Sequence, residues 1–162
     1  MFPDDPRFLD LQSMLAEITD QLNETSQPVP VDAHAWRKLI LDSLAFRYAS
    51  VVRMIESLTG RCIKGIHIVD GGCQNDYLNH ATANATALPV CAGPVEATAI
   101  GNILVQATRV GRLRCLSEAR NYITTNIQLK QFVPCSSSSW EEAAPPICHD
   151  RSALCEVSVG AS

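Results

Sequence analysis

A pair of glycines between a short apolar run and an amphipathic segment is the part of this sequence best suited to chemistry. Gly71 and Gly72 follow the β-branched run Ile66–Val69 and precede a helix-forming stretch. Glycine lets backbone N–H groups come close to a ligand, and a helix N-terminus favours the negative charge of a phosphate. Asn75 both donates and accepts hydrogen bonds, as recognition of an adenine edge or a ribose requires. The pattern therefore indicates a possible nucleotide-binding turn.

The same turn also has a plain structural interpretation. Strand-to-helix turns are rich in glycine in general, so the pair alone favours a tight turn without a ligand. The segment has neither the spacing of the phosphate loop nor that of the dinucleotide-binding fingerprint. Asp70 suits a cap of the following helix, which we favour over a role in metal binding.

Helices and strands that would position this turn follow from the hydrophobic periodicity. The pattern predicts helices at about 11–23, 32–59, 77–85, from 97 to near 111, and 117–124, and short strands at 66–69 and 88–92. Asp32 suits the N-cap of the longest helix, and Gly60 suits its C-terminal stop. Ser117 suits the cap of the last helix, and Pro94 suits a place at or just before the first turn of the fourth. Strand, helix and strand in succession predict a parallel pair. An independent sheet usually needs about three strands, so elements are missing.

Composition narrows the class of protein. The chain has 162 residues, 46% of them apolar and 19% charged, with a formal net charge of -4. This suits one globular domain and argues against a nucleic-acid or anionic-membrane binder, since the cluster Arg109, Arg112, Arg114 and Arg120 has no interleaved aromatics. No apolar run approaches the roughly 18 residues of a membrane span. We expect a cytoplasmic chain, because the first residues lack the cationic start of a secretory signal.

The seven cysteines form no C-x-x-C pair, which favours reduced thiols over a disulfide framework. Cys148, His149 and Cys155 lack a fourth well-spaced ligand, so no metal site is predicted there. His67, inside the apolar strand, is interpreted as a hydrogen-bonded core histidine. Asp42 is expected on the solvated face of the long helix.

Three segments together resemble the C-terminal domain of the FGGY carbohydrate kinases, and within that family the rhamnulokinase branch. They are His67–Asn75, Leu78–Asn79 and Ala92–Asn102, with support from Pro3–Leu9, Gln27–Pro30 and Ser43–Tyr48. The resemblance implies an α/β fold, namely a partial actin-like, ribonuclease-H-like ATPase domain that is helix-rich with a short parallel strand pair. It covers residues 1–133, and residues 134–162 are expected to form a poorly ordered tail from which Trp140 docks on the body.

The resemblance also implies function. Members of this branch transfer the γ-phosphate of ATP to the 1-hydroxyl of L-rhamnulose with Mg²⁺, so an adenine nucleotide, ATP or ADP, is the implied ligand. The positions matching the family's nucleotide-binding turn are Gly71, Gly72, Gln74 and Asn75. Gly101 is expected to permit close helix approach. Asp70 replaces a family glycine, and its carboxylate would repel phosphate unless offset.

Family kinases are about three times as long, and their sugar pocket and catalytic Asp precede the segment matched here. No catalytic residue is therefore assigned, and a sugar becomes a partner only when the first domain is supplied. Three hypotheses follow: a kinase portion that is not catalytic alone, a non-catalytic nucleotide-binding or docking module, and an inactive remnant. The remnant hypothesis expects uncovered apolar faces on the long helix and on Ile66–Val69.

Overall fold

The computed structural model describes residues 1–8, 13–135 and 140. Five α-helices and three strands lie in this part of the chain, together with two 3-10 helices at Pro6–Phe8 and Asp70–Gln74. The helices are α1 (Met14–Glu24), α2 (Ala33–Thr59), α3 (Asp76–Thr86), α4 (Ala97–Arg109) and α5 (Leu116–Asn126), and the strands are β1 (Ile66–Ile68), β2 (Val90–Ala92) and β3 (Lys130–Phe132). Among these described helices, none is both long enough and apolar enough to cross a membrane.

Both ends of α2 are as the sequence predicts. The Asp32 side chain accepts hydrogen bonds from the backbone N–H groups of His34 and Ala35, both at 2.8 Å. These bonds satisfy two of the four N–H groups that a helix leaves unpaired at its start. Gly60 closes the helix with φ of 65°, a left-handed conformation in which glycine avoids the Cβ penalty.

The sheet has three strands in the order β1-β2-β3. Strands β1 and β2 are parallel, with Ile66 opposite Val90, so the predicted parallel pair is confirmed. Strand β3 pairs antiparallel with β2 and was not predicted, and it places Lys130 opposite Ala92. A third strand of only three residues carries too little periodicity to stand out in the sequence.

Helix α3 forms the centre of the molecule. One of its faces places Ala81 and Ala85 against Ala45 and Ala49 of α2, in a cluster of small side chains that lets the two helices approach closely. Its Ala83 lies in a second cluster with strand residues and Cys73 of the 3-10 helix. Helix α3 packs against both α2 and the sheet. It therefore connects the longest helix to the carboxyl end of β1, where Gly71 and Gly72 lie.

Three local expectations are corrected by the structure. Helix α5 begins after Cys115 and not Ser117, and no side chain caps it. A Cβ added at Gly101 would meet no described atom within 4 Å, so this glycine permits no close contact between the described helices. Pro94, by contrast, lies just before α4 as expected, two residues before its N-cap. Cys62 is disulfide-bonded, which differs from the expected set of reduced thiols, whereas Cys73, Cys91, Cys115 and Cys135 are free.

The described part of the C-terminal segment contacts the body at two places. The Trp140 ring lies 5.0 Å from that of Phe46, centroid to centroid, as the expected docking of Trp140 requires. The backbone N–H of Cys135 donates to Asn84 Oδ1 at 2.8 Å. The rest of the predicted tail, including Cys148, His149 and Cys155, lies outside the described residues, as does the predicted start of α1 at Leu11.

Candidate functional site

The 3-10 helix Asp70–Gln74, hereafter the glycine turn, connects the carboxyl end of β1 to α3. Asp70 opens it with φ of 57°, in the left-handed region that favours glycine. Its backbone N–H donates to the Pro94 carbonyl at 3.1 Å, and its Oδ2 accepts from Thr98 Oγ1 at 3.4 Å. Asn75 and not Asp70 caps the following helix, so the cap expected at Asp70 is wrong. An Asp tolerates left-handed angles better than most residues, which agrees with the backbone conformation of Asp70.

The two central glycines differ in what surrounds them. A Cβ at Gly72 would lie 3.4 Å from Ile68 Cγ2, which is ordinary contact, whereas a Cβ at Gly71 would meet nothing within 4 Å. Neither residue is among those with positive φ. No packing contact or backbone angle in the described chain thus requires glycine at position 71. The missing side chain leaves the backbone at position 71 accessible to a ligand.

Two asparagines fix the turn to α3. Asn75 Oδ1 accepts from the Leu78 N–H at 3.1 Å, so its acceptor caps the helix and is not directed at a ligand. Asn79 is fully buried, and its Nδ2 donates to the Cys73 carbonyl at 3.0 Å. Its Oδ1 has no hydrogen-bond partner among the described residues. Sequence reasoning assigned Asn79 no role, although its place within the motif was the available signal.

A cavity of about 350 Å³ adjoins the turn at the carboxyl ends of the parallel strands. Open α/β sheets commonly bind ligands at such ends. The lining residues are Cys73, Gln74, Ala92, Gly93, Pro94, Val95, Ile127, Gln128 and Lys130. Of the four predicted site residues, only Gln74 lines this cavity. Gly71, Gly72 and Asn75 lie beside it on the same turn.

Lys130 is the cationic side chain in the lining. Its Nζ is 2.9 Å and 3.1 Å from the two carboxylate oxygens of Asp76, at the start of α3. Sequence reasoning missed Lys130 and Gln128, because they reach the cavity only through the pairing of β3 with β2. Both are far from the glycine turn along the chain, so spacing alone offered no signal for them.

Two other residues considered for chemistry have structural contacts. Asp42 accepts from the Tyr77 hydroxyl at 2.7 Å and pairs with Lys38 Nζ at 2.6 Å, so it is not simply solvated as expected. Burial, and then the hydrogen bond to Asp42, raises the pKa of Tyr77. His67 is exposed and not a core residue, but its Nε2 does contact the Gly93 carbonyl.

Comparison with known proteins decides the family. Residues 11–110 match the C-terminal domain of the FGGY family of carbohydrate kinases. This chain belongs to that family. It is similar to the rhamnulokinase of Bacteroides thetaiotaomicron, with 40% identity over 141 residues, which cover 87% of this chain and 29% of that protein. The chain therefore spans less than a third of the length of this curated relative.

Membership settles the fold class. The FGGY C-terminal domain is of the actin-like ATPase type, and the helix-rich chain with a small mixed sheet and a parallel pair agrees with it. The resemblance drawn from the segments around Gly71–Gly72 and Gly93–Asn102 is thus confirmed. The glycine turn and most of the cavity lining lie inside the matched range, while Gln128 and Lys130 lie beyond it.

The family implies phosphotransfer from ATP, with Mg²⁺ as the usual metal. In the part of the chain that the structure describes, no three His, Cys, Asp or Glu side chains cluster as metal ligands. Two carboxylates close to the turn are engaged, Asp70 with Thr98 and Asp76 with Lys130. These residues do not fit a protein-held Mg²⁺ site, and no step is derived through one. Mg²⁺ in kinases is commonly held in part by the phosphates themselves.

Proposed function

We propose that this chain is the nucleotide-binding, C-terminal portion of a rhamnulokinase-like sugar kinase, with residues 1–133 as its folded part. The observation that carries the proposal is the open backbone at Gly71, where neither packing nor φ calls for glycine. The turn presents backbone N–H groups just before α3, whose N-terminus adds a partial positive charge. Adenine nucleotide, ATP or ADP with Mg²⁺, is the ligand that the family membership favours.

Each predicted site residue has a separate role in this proposal. Gly71 and Gly72 supply approachable backbone, Gln74 supplies an amide that both lines the cavity and makes no hydrogen bond to another described residue, and Asn75 holds the helix start. Asn75 thus acts through the helix that it caps. The carboxylates of Asp70 and Asp76 oppose phosphate binding, which a cation such as Mg²⁺ bound to the nucleotide would offset.

We further propose that the chain does not phosphorylate a sugar by itself. Phosphoryl transfer needs an acceptor hydroxyl, a base and a metal held together in line. The carboxylates of Asp70 and Asp76 contact Thr98 and Lys130, and Glu96 lies at the N-cap of α4, so we assign none of the three as the base. L-rhamnulose would be the substrate only of an assembly that also contains the remainder of the kinase.

Titration calorimetry with ADP and Mg²⁺ on the full chain tests the nucleotide site. We expect Gly71→Val to weaken ADP binding at least tenfold while leaving the melting temperature nearly unchanged, because its side chain would occupy the space of the ligand and no protein atom. Gly101→Ala is the matched control, since a Cβ at Gly101 also meets open space but lies in α4. It should bind ADP like the wild type and gain about 0.5–1 kcal/mol of stability.

Two results would contradict the proposal. The first is a folded wild-type chain that gives no heat with millimolar ADP. The second is a Gly71→Val variant that binds ADP as tightly as the wild type, which would reduce the glycine pair to a structural turn. Turnover of L-rhamnulose by the pure chain would refute the separate claim that it is inactive alone.

A further inference from the structure

A second cavity lies where helices α2 and α3 begin. Its volume is about 190 Å³, and four residues of α2 and one of α3 line it, namely His34, Arg37, Lys38, Leu41 and Tyr77. None of them lines the cavity beside the glycine turn. Pockets for drug-sized ligands measure roughly 300–1,000 Å³, so this cavity suits a molecule of about one ring.

A hydrogen-bond network fixes one wall of this cavity. Lys38 Nζ is 2.6 Å from Asp42 Oδ2 and donates to the Tyr77 hydroxyl oxygen at 3.2 Å. The Tyr77 hydroxyl in turn donates to Asp42 Oδ1 at 2.7 Å. The hydrogen bond to Asp42, and then that to Tyr77, raises the pKa of Lys38, so its ammonium group is charged at neutral pH. One of the three Lys38 N–H groups keeps no partner among the described residues.

Arg37 supplies further donors at the same cavity. Its Nε donates to the Ala33 carbonyl at 3.2 Å, which holds the side chain along α2. Its Nη groups make no hydrogen bond or ion pair with a residue that the structure describes. A guanidinium group presents its N–H groups in a planar fork that matches the two oxygens of a carboxylate. Beside these cations, the Tyr77 ring and Leu41 supply apolar surface.

The negative charges close to the cavity decide which anion it suits. Asp32 accepts from N–H groups at the start of α2, and Asp42 belongs to the network of Lys38, so neither is among the lining residues. Both carboxylates still repel a bound anion, and they repel a doubly charged phosphate twice as strongly as a singly charged carboxylate. The apolar part of the lining favours a ligand with an apolar body.

We propose that this cavity binds a small monocarboxylate with a flat apolar body. Its carboxylate lies at Arg37 and Lys38, and its ring packs against Tyr77. His34 closes the side next to the start of α2. This inference is independent of the proposed function, because the cavity shares no lining residue with the one beside the glycine turn.

Benzoate is the probe, and titration calorimetry on the full chain measures its binding. We expect a dissociation constant on the order of 1 mM, because the ligand is small and two carboxylates lie nearby. Benzamide has nearly the same shape but no charge, and it should bind at least tenfold more weakly. Inorganic phosphate should also bind at least tenfold more weakly. Benzoate at ten times its dissociation constant should raise the melting temperature by roughly 3–6 °C.

Arg37→Gln should weaken benzoate binding at least tenfold, because it removes the charged fork. It should leave the melting temperature of the free chain nearly unchanged, since Arg37 is exposed. Arg61→Gln is the matched control, because Arg61 is an exposed arginine just after α2 and does not line the cavity. This variant should bind benzoate like the wild type.

Four results would each overturn the proposal. They are a folded chain that gives neither heat nor a higher melting temperature with about 10 mM benzoate, equal affinity for benzoate and benzamide, phosphate binding at least as tight as benzoate binding, and wild-type affinity in Arg37→Gln. The ADP titrations with Gly71→Val test the nucleotide site separately. Loss of benzoate binding with intact ADP binding would therefore refute this site alone, and the reverse would refute only the nucleotide site.

Discussion

Removing the amide of Asn79 should loosen the glycine turn from α3. The Asn79 side chain is fully buried, and its Nδ2 donates to the Cys73 carbonyl at 3.0 Å. In Asn79→Ala, that carbonyl loses its buried donor, which costs about 1–3 kcal/mol. The small cavity left by the side chain lowers the free energy of unfolding further. Removing Oδ1, which has no partner among the described residues, restores part of this free energy.

We expect the free energy of unfolding to fall by about 2 kcal/mol, which lowers the melting temperature by roughly 6 °C for a domain of this size. Differential scanning calorimetry measures the loss, and hydrogen exchange shows whether it is local to residues 70–75. Asn79→Leu separates the causes, because it fills the volume but leaves the Cys73 carbonyl unpaired. A Leu variant as stable as the wild type would refute the claim that this hydrogen bond holds the turn.

Two further predictions concern aspartates with known partners. Asp32→Ala should destabilise the chain at neutral pH, because the N–H groups of Ala35 and His34 bond the carboxylate and lower its pKa below 3.8. Since the folded-state pKa is depressed, this stabilisation is present above pH 3.8 and is lost as pH falls through the folded value, so the melting temperatures of the two proteins should converge as the pH falls below 3.8. Asp70→Gly should retain the fold, because glycine accepts φ of 57°, and should bind ADP a few-fold more tightly by calorimetry. Each carboxylate–phosphate repulsion at a separation of about 8 Å in water is worth ~0.5 kcal/mol, so an unchanged ADP affinity would place Asp70 away from the phosphates.

The elements with strong local signals could be predicted. Helix α2 has a capping Asp32, a long periodic pattern and Gly60 at its end, and each of these acts within a few residues. The parallel pairing of β1 with β2 followed from the helix between them, because a connection of that kind leaves few alternatives. The expected uncovered apolar face on the long helix is also present among the described residues, because Val51, Met54, Ile55 and Leu58 of α2 are exposed.

What could not be predicted depends on contacts distant in sequence. Strand β3 exists because β2 pairs with it, and only that pairing brings Lys130 to the cavity beside Gln74. The helix cap was predicted at Asp70 but lies at Asn75, and the cause is similar. Both residue types favour caps, and only the 3-10 geometry of the turn puts Asn75 at the helix start and Asp70 in the left-handed region.

Contacts within the described chain hold the glycine turn at both ends. The Asp70 N–H bonds to Pro94, the Gly93 N–H to Ile68, and the Asn79 amide to Cys73, so both ends of the turn are tied to neighbouring elements. A turn that is fixed in this way need not be ordered by the nucleotide, and less of the binding free energy is lost to ordering. Under the proposed function, nucleotide binding would then need neither the sugar nor the rest of the kinase to order the turn. We therefore infer that the nucleotide site is preformed in this chain, and that Gly71 controls access to it.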